Sequence, residues 1–599
     1  MSHSTHKKSQ PLCHIVTSVG MLGYGINAGQ TNAALERFTS TGIPTAMILE
    51  SGSTDSGPQK LALGGMTVPL GSYIRDLRKL LASACRYNMP LIFSSAGGSG
   101  TDHNTRELAE VIKSLAAEID TMGLEPFLDA LSEHPDLHVL VGGLAYDPAP
   151  FVAFAQHCYS KLGLGPADEN EHLIGGFTHI GKIMECAGLC AIPKDGGATA
   201  TVYVDGTFDV VPMAPTSKCT TLSVAAHTLY EKSRPDKLYG PGGYLNLTEA
   251  ESTQLDDQRT VRVRGGRFVW SAEDSEAGVY QVKLEGAKAV GYRAMYVGAI
   301  KDHILLGQID EFLGNVRDFV ASEHADIEGY WDLQWHVYGN ADSSDAPKVC
   351  IIGEALASTQ ELATNLVANA KVGTIHTPYE NQKATSGNLA HGIGGIYTVP
   401  LGPCAEFCVY HLKGLEPQEK RGGSRGTLFW TESFIIARQE GSSINTKGSH
   451  TQPLGKTKVK KRFQNGNLSN EQVLGKNPVL GNIAQVIRSK NSGPYEITFD
   501  VLFAREDVYR AIKEASLLDT NTVAKLYGIN PEQVIWSGFF DQARAYKATI
   551  PRMRQGQPAA AGGFMEDDVH GSQMYMPLLR LPIPEELVSE LKSILKVTE

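Results

Sequence analysis

The sequence predicts an α/β protein. An N-terminal parallel-sheet, Rossmann-like region is followed by a mixed α/β region and a small C-terminal α/β domain. Three observations lead there. Over the first 150 residues, short apolar runs alternate with longer stretches of helical periodicity, the pattern of a parallel sheet covered by helices on both faces. Late in the chain, 442–477 is polar, rich in Gly, Ser, Lys and Asn, and cannot build a core. The 62 glycines among 599 residues exceed the usual share of about 7%. They gather at the ends of apolar runs, where tight turns and ligand-approaching loops lie.

The elements follow in order. His14–Ser18 is a strand that ends in the loop Gly20-Met-Leu-Gly23-Tyr-Gly25. A helix covers Gln30–Thr39 and a second strand Thr45–Leu49. Tyr73–Arg86 carries Ile74, Leu77, Leu80 and Leu81 at helical spacing, and Pro90–Ser94 is a third strand. Arg106–Met122 is a helix and Leu137–Val141 a fourth strand. Beyond Phe151 the alternation loosens. Ala198–Val211 reads as a hairpin whose Asp205-Gly206 pair supplies the positive φ angles of a tight turn. Val261–Trp270, Val279–Leu284, Trp331–Tyr338 and Lys348–Ile352 read as strands, and Lys301–Ala321 and Thr359–Val372 as helices. Gly291-Tyr292-Arg293 is taken as the exposed end of a strand. These readings divide the chain into 1–150, 151–441, a linker at 442–477 and a tail domain at 478–599. The basic run Lys456–Arg462 belongs to the solvated linker.

Composition narrows the function classes. With 54 Lys+Arg against 65 Asp+Glu the formal net charge is -11, which speaks against a nucleic-acid partner. No uninterrupted apolar stretch reaches about 18 residues, so no membrane span is expected. The polar start Met1–Gln10 reads as no signal peptide. Nine scattered cysteines in a large chain argue against a disulfide scaffold and for a reducing, cytoplasmic compartment. A homo-oligomer is expected.

Candidate chemistry sits in the glycine-rich loops. Gly23 and Gly25 lie between a strand and a helix, where backbone N–H groups cradle a phosphate or carboxylate, or simply make a tight turn. Ser95, Gly97, Gly98, Ser99 and Thr101 lie in the Ser94–Asp102 loop at the carboxyl end of the third strand, where open α/β sheets bind ligands. His179, Lys182, Glu185 and Cys186 fall within one glycine-rich stretch, which can supply a general acid, a general base and a cation. Lys182 beside Glu185 also reads as a plain ion pair, and Cys186 as a small hydrophobe. His227 on an Ala-rich helix reads as a core histidine. Arg488, Lys490, Asn491 and Asp500 surround one turn of the tail domain, where an arginine can grip a carboxylate in bidentate fashion. Arg293 is a further candidate for binding. The pairs Cys186/Cys190 and Cys404/Cys408 are spaced too widely for a usual structural zinc site. No metal and no cofactor are expected.

Several strings carry a family resemblance: Ser95-Ala-Gly-Gly98, Met184-Glu-Cys-Ala-Gly188, Ser223-Val-Ala-Ala-His-Thr-Leu-Tyr230, Tyr239-Gly-Pro-Gly-Gly243, Lys283-Leu-Glu-Gly286 and Val290-Gly-Tyr-Arg293. From about His14 to Pro400 the chain resembles the acyclic terpene utilisation A family. The stretches Ile487–Pro494, Phe499-Asp500, Lys547–Arg552 and Val569–Gln573 resemble a small uncharacterised domain, in bacteria typically a separate protein encoded beside the first. The resemblance implies a fusion of the two. It also implies carboxylic acid or acyl-CoA substrates, since the family takes its name from gene clusters that degrade branched terpenoids through CoA thioesters. In its better-known members a His stands where this chain has Lys182. The expected activity is therefore a hydratase or dehydratase working by proton abstraction next to a carbonyl. Glu185 or His179 would act as base or acid, and Lys182 or Arg488 would neutralise the developing enolate. An isomerase or epimerase would share that step, and a non-catalytic subunit that binds an acyl ligand is the other reading.

Overall fold

Strand β1 (Pro11–Thr17) is apolar and buried beyond its first residue, as a strand must be when both faces of its sheet are covered. In this computed structural model it lies inside an eight-stranded sheet. Residues 9–116, 131, 137–271, 278–340, 348–383, 385–416, 419, 429, 474 and 477–595 are described. Nearly all of the expected linker, Lys456–Arg462 included, lies outside them.

Strands β1, β2 (Thr45–Glu50), β3 (Leu91–Ser94) and β4 (Val139–Val141) run parallel in that order. The sheet does not stop at residue 150. On the other side of β1 it continues through antiparallel β5 (Ala198–Tyr203) and β6 (Phe208–Pro212), then β8 (Val261–Arg264) and β7 (Glu251–Gln254). The β5–β6 hairpin turns at Gly206, whose φ is 81°, as the Asp-Gly pair requires.

Helices cover both faces. On one side lie α1 (Ala28–Thr39), α2 (Leu70–Tyr87) and α3 (Asp102–Ala116), and α2 buries Tyr73, Leu77, Leu80, Leu81 and Ala84 at i, i+4, i+7, i+8 and i+11. The expected helix Arg106–Met122 corresponds to α3 up to its last described residue. On the other side α4 (Ala149–Lys161) and α5 (Glu171–Met184) pack through Phe151, Phe154, Phe177, Ile180 and Ile183.

Residues 278–416 build a second sheet. Its longest strand, β9 (Gln281–Ile300), pairs with β11 (Lys348–Ala357) and with β12 (Val399–Gly414), and β10 (Trp331–Asn340) pairs with β11. Helices α7 (Ile309–Glu323) and α8 (Gln360–His376) cover it around a separate core. Gly291–Arg293 is the middle of β9, not a strand end. The register shift at Gly291 and its φ of 141° bend the strand there.

The tail domain is an antiparallel sheet of β13 (Val486–Asn491), β14 (Glu496–Leu502), β16 (Ala545–Pro551) and β15 (Trp536–Phe540), in that order. Helices α9 (Glu506–Glu514), α10 (Thr520–Tyr527) and α11 (Glu585–Leu595) close its core. This sheet rests on residues 226–233, which follow and include the end of α6 (Thr221–Leu229). Lys547 donates to the Leu229 carbonyl at 3.0 Å, Thr498 to Lys232 at 3.1 Å and Thr549 to Ser233 at 2.7 Å. Ala226 and Leu229 pack on Leu502, Ala543 and Ala545. Among the described residues no helix is long and apolar enough to cross a membrane, and none of the nine cysteines is in a disulfide.

Candidate active site

The carboxyl ends of the parallel strands define the place. Strand β2 ends at Glu50, an acidic residue that is nonetheless buried, and pairs there with Ser94 at the end of β3. Strand β4 leads through Gly142-Gly143 to Tyr146 and Asp147. Helix α5 approaches the same edge. Asn170 caps its start by accepting from the His172 and Leu173 amides, and Lys182 stands in its last turn with Glu185 as C-cap. Lys182 donates to Glu185 Oε1 at 2.5 Å, with both side chains all but fully buried. Helix α5 gets this deep because three of its residues lack a side chain. A Cβ on Gly175, Gly176 or Gly181 would lie 2.4, 2.1 or 2.7 Å from Gly266, Gly206 or Pro148 respectively.

The tail domain completes the cluster. Lys490 pairs with Asp55 at 2.7 Å and with Glu231 at 3.1 Å. Tyr230 lies between the two parts of the molecule. Arg488 stands 5.0 Å from its ring centroid, and Lys182 and Lys490 each stand 5.8 Å away. Arg488 also donates to the Ala226 carbonyl and pairs with Asp500 at 2.8 Å. On another side, Lys60 of the short helix Gln59–Leu63 donates to Ser53, Ser56 and Thr67. Lys283 pairs with Glu285 at 2.6 Å, and Glu285 accepts from Thr54 at 2.8 Å. The candidate site thus holds Glu50, Asp55, Asp147, Glu185 and Glu231 against Lys60, Lys182 and Lys490.

So many acids in a buried space shift one another. Burial first, then Asp147, Glu185 and Glu231, hold Glu50 well above the usual carboxyl range. Asp147 is pushed up to about 6 by burial, with Lys182 opposing. Burial also lifts Glu185 and Glu231, against Lys182 and Lys490 respectively. Burial alone would lower Lys182, but Glu185 and Glu231 outweigh it and keep the ammonium charged. Asp55 and Glu231 do the same for Lys490. Lys60 goes the other way: burial brings it down to about 8, only partly resisted by Glu50 and Asp55. Neighbouring groups with split proton affinities are what acid–base chemistry needs.

The residues singled out from the sequence fall into three groups. Lys182, Glu185, Cys186, Arg488 and Lys490 come together. Asp500 stands one step behind, holding Arg488 and, at 2.7 Å, Lys547. Asn491 braces the turn, accepting from Arg552 at 2.7 Å and donating to the Val569 carbonyl.

The glycine loops work differently from the expected backbone cradle. The Gly23 and Gly25 amides donate to Asp76 at 3.0 and 2.9 Å, so the carboxylate they hold belongs to the protein. In the next loop the Ser95 amide goes to Gly143, Gly97 to Ser51, Gly98 to Ser95, and Ser99 and Gly100 to Ala96. Ser99 and Thr101 both bond Asn104. What this loop gives the site is room. A Cβ on Gly98 would stand 2.1 Å from Thr67 Oγ1 and 3.3 Å from Lys60 Nζ.

Two residues stand apart. Arg293 pairs with Glu354 at 3.2 Å and donates to the Gly563 carbonyl. It lies eight residues beyond Glu285 on β9, past the bend at Gly291. His179 contacts Thr228 at 3.0 Å and meets Phe208 edge-on, and burial lowers it to about 3, so it is a neutral core imidazole.

Sequence reasoning missed Glu50, Asp55, Lys60, Asp147, Tyr230 and Glu231. A signal existed for two of them. Glu50 and Asp147 are carboxylates placed where parallel strands end, the edge at which such sheets bind ligands. His227, read as a core residue, falls into a group with Glu185 and Cys186 in which one donor atom of each lies within 4.8 Å of the others.

Residues 480–582 match the model of a domain of unknown function, DUF4387. They lie within 478–599, the small C-terminal domain expected from the sequence. No curated protein and no solved structure matches the chain.

Proposed function

We propose that the protein is a lyase of the hydratase or dehydratase type, acting on a hydroxy or unsaturated carboxylic acid or its CoA ester. One observation carries this reading. Glu50, whose carboxyl burial and neighbouring acids hold well above the usual range, and Asp147, pushed up to about 6, belong to one largely buried cluster that also contains Lys182, kept charged by Glu185 and Glu231. In the dehydration direction Asp147 takes the proton next to the substrate carbonyl, and the C–H electron pair becomes the new double bond. The C–O bond at the neighbouring carbon breaks, and Glu50 protonates the departing oxygen to give water. Lys182 and Lys490 offset the charge that develops on the carbonyl oxygen. Proton transfer between the two carboxyl groups and solvent resets the site. The base is thus assigned to Asp147, because His179 faces the core and Glu185 is engaged by Lys182.

We further propose that the region from about His14 to Pro400 belongs with the acyclic terpene utilisation A family. Three of the strings that carry the resemblance, around Glu185, Tyr230 and Glu285, border the same cluster, which supports one shared site. The test is incubation of the full chain in D2O with a panel of hydroxy acids and their CoA esters, followed by NMR. The expected result is deuterium at the α-carbon together with loss of water. Asp147→Asn and Glu50→Gln should slow both by about 100-fold or more. Exchange without water loss would move the reading to an isomerase. No exchange with any member of the panel, or no effect of either substitution, would overturn the acid–base assignment.

A further inference from the structure

We propose that Glu185, Cys186 and His227 form a zinc-binding site. One donor atom from each of the three residues, a Glu185 carboxylate oxygen, Cys186 Sγ and a His227 ring nitrogen, lies within 4.8 Å of the other two. Tetrahedral zinc with bonds of about 2.0–2.3 Å sets its ligand atoms about 3.4–3.6 Å apart. Small side-chain movements therefore bring the three atoms to coordination distance.

The second observation is independent of that spacing. Glu185 Oε2 and His227 Nε2 are buried polar atoms without a hydrogen-bond partner, on side chains only 2% and 3% exposed. An unsatisfied buried polar atom is costly, and here two of them belong to members of the same three-residue group. A divalent cation would satisfy both at once.

The surroundings suit such an ion. Lys182 holds Glu185 Oε1 while Oε2 has no partner, which makes Lys182 a positioning residue behind the ligand. A carboxylate and a thiolate balance the two charges of the cation. A set of one sulfur, one nitrogen and one oxygen favours zinc over calcium or magnesium. Three protein donors leave the fourth tetrahedral position open, as in catalytic rather than structural zinc sites. Glu185 is the C-cap of α5, Cys186 follows it directly, and His227 lies in α6. A zinc site here differs from the expectation of no metal, which weighed only the four-residue spacing between cysteines. The structure directs Cys190 elsewhere, to Cys219 at 3.8 Å.

This inference does not rest on the lyase reading, because it is tested without turnover. The full chain is stripped with chelator, reloaded with zinc chloride and gel-filtered. The result expected is one zinc per chain, with X-ray absorption giving one sulfur and otherwise nitrogen or oxygen neighbours. Loaded with cobalt(II), the same chain should show a thiolate-to-cobalt charge-transfer band that Cys186→Ser removes and Cys190→Ser leaves intact. His227→Gln should weaken cobalt binding at least tenfold. Failure of the wild-type chain to retain zinc overturns the proposal. So does a zinc shell with no sulfur or with two sulfurs, the latter pointing to Cys190 and Cys219. The absorption measurement needs no variant, so a substitution that fails to fold does not blunt the test.

Discussion

His179 shows how far a single residue can be read from sequence. It stands three positions from Lys182 in a motif rich in chemistry, yet its ring faces Phe208 and Thr228. Burial holds it neutral, with its affinity for a proton lowered from 6.5 to about 3. The unfolded chain therefore binds a proton below pH 6.5 that the folded chain refuses. Stability should fall as pH drops from 6.5 toward 3, by about 1.4 kcal/mol per pH unit for this group. In His179→Gln, urea titrations across that range should show a slope smaller by about one proton. An unchanged slope would mean that the imidazole is not buried neutral. Lys182, Glu185 and Cys186 were legible because one short motif holds all three. Glu50 and Asp147 were not, because a lone acid after an apolar run looks like an ordinary strand end. Only the pairing of β2, β3 and β4 shows that these ends share an edge.

At the scale of elements, α5 and the loop after β3 depend on the absence of side chains. Glycine inside a helix normally costs about 1 kcal/mol relative to alanine, so Gly176→Ala would ordinarily stabilise. Here the added Cβ would sit 2.1 Å from the Gly206 carbonyl oxygen. The substitution should destabilise instead, by about 1–3 kcal/mol as overpacking does, measured by denaturant unfolding. Gly98 has a φ of 108°, and a Cβ there collides with Thr67. Gly98→Ala should displace Lys60 from the cluster and lower turnover while leaving most of the helical circular dichroism intact. The sequence revealed that these loops matter, since glycine marks close approach. It suggested a backbone cradle for an anion, and it could not show that Asp76 and the loops' own carbonyls take up those amides. Strand and helix positions in the first 150 residues were legible because their periods differ. The bend of β9 at Gly291 was not, because a long strand broken by glycine reads as two short ones.

At the scale of the whole molecule, the tail domain is part of the site rather than an appendage. Lys490 spans the boundary, and its removal leaves Asp55 and Glu231 facing each other. Breaking a fully buried ion pair costs about 3–5 kcal/mol. These carboxylates keep 21% and 25% of their side-chain exposure, so Lys490→Ala should cost less, about 2 kcal/mol, in thermal unfolding. Adding Asp55→Asn should restore part of it, because one of the unpaired charges is gone. The α/β class, the hairpin and the C-terminal unit were visible in patterning alone. That one sheet runs on past residue 150 was not, since β5 to β8 join it only through long-range antiparallel pairing. In the proposed function, residues from both ends of the chain make one acid–base site. A crystal structure of the full chain soaked with a hydroxy-acyl ligand tests it most directly. The ligand's carbonyl or carboxylate oxygen should lie within hydrogen-bond reach of Lys182 or Lys490, and its α-carbon beside Asp147. A ligand bound on another surface, with Glu50, Asp147 and Glu231 untouched, would contradict it.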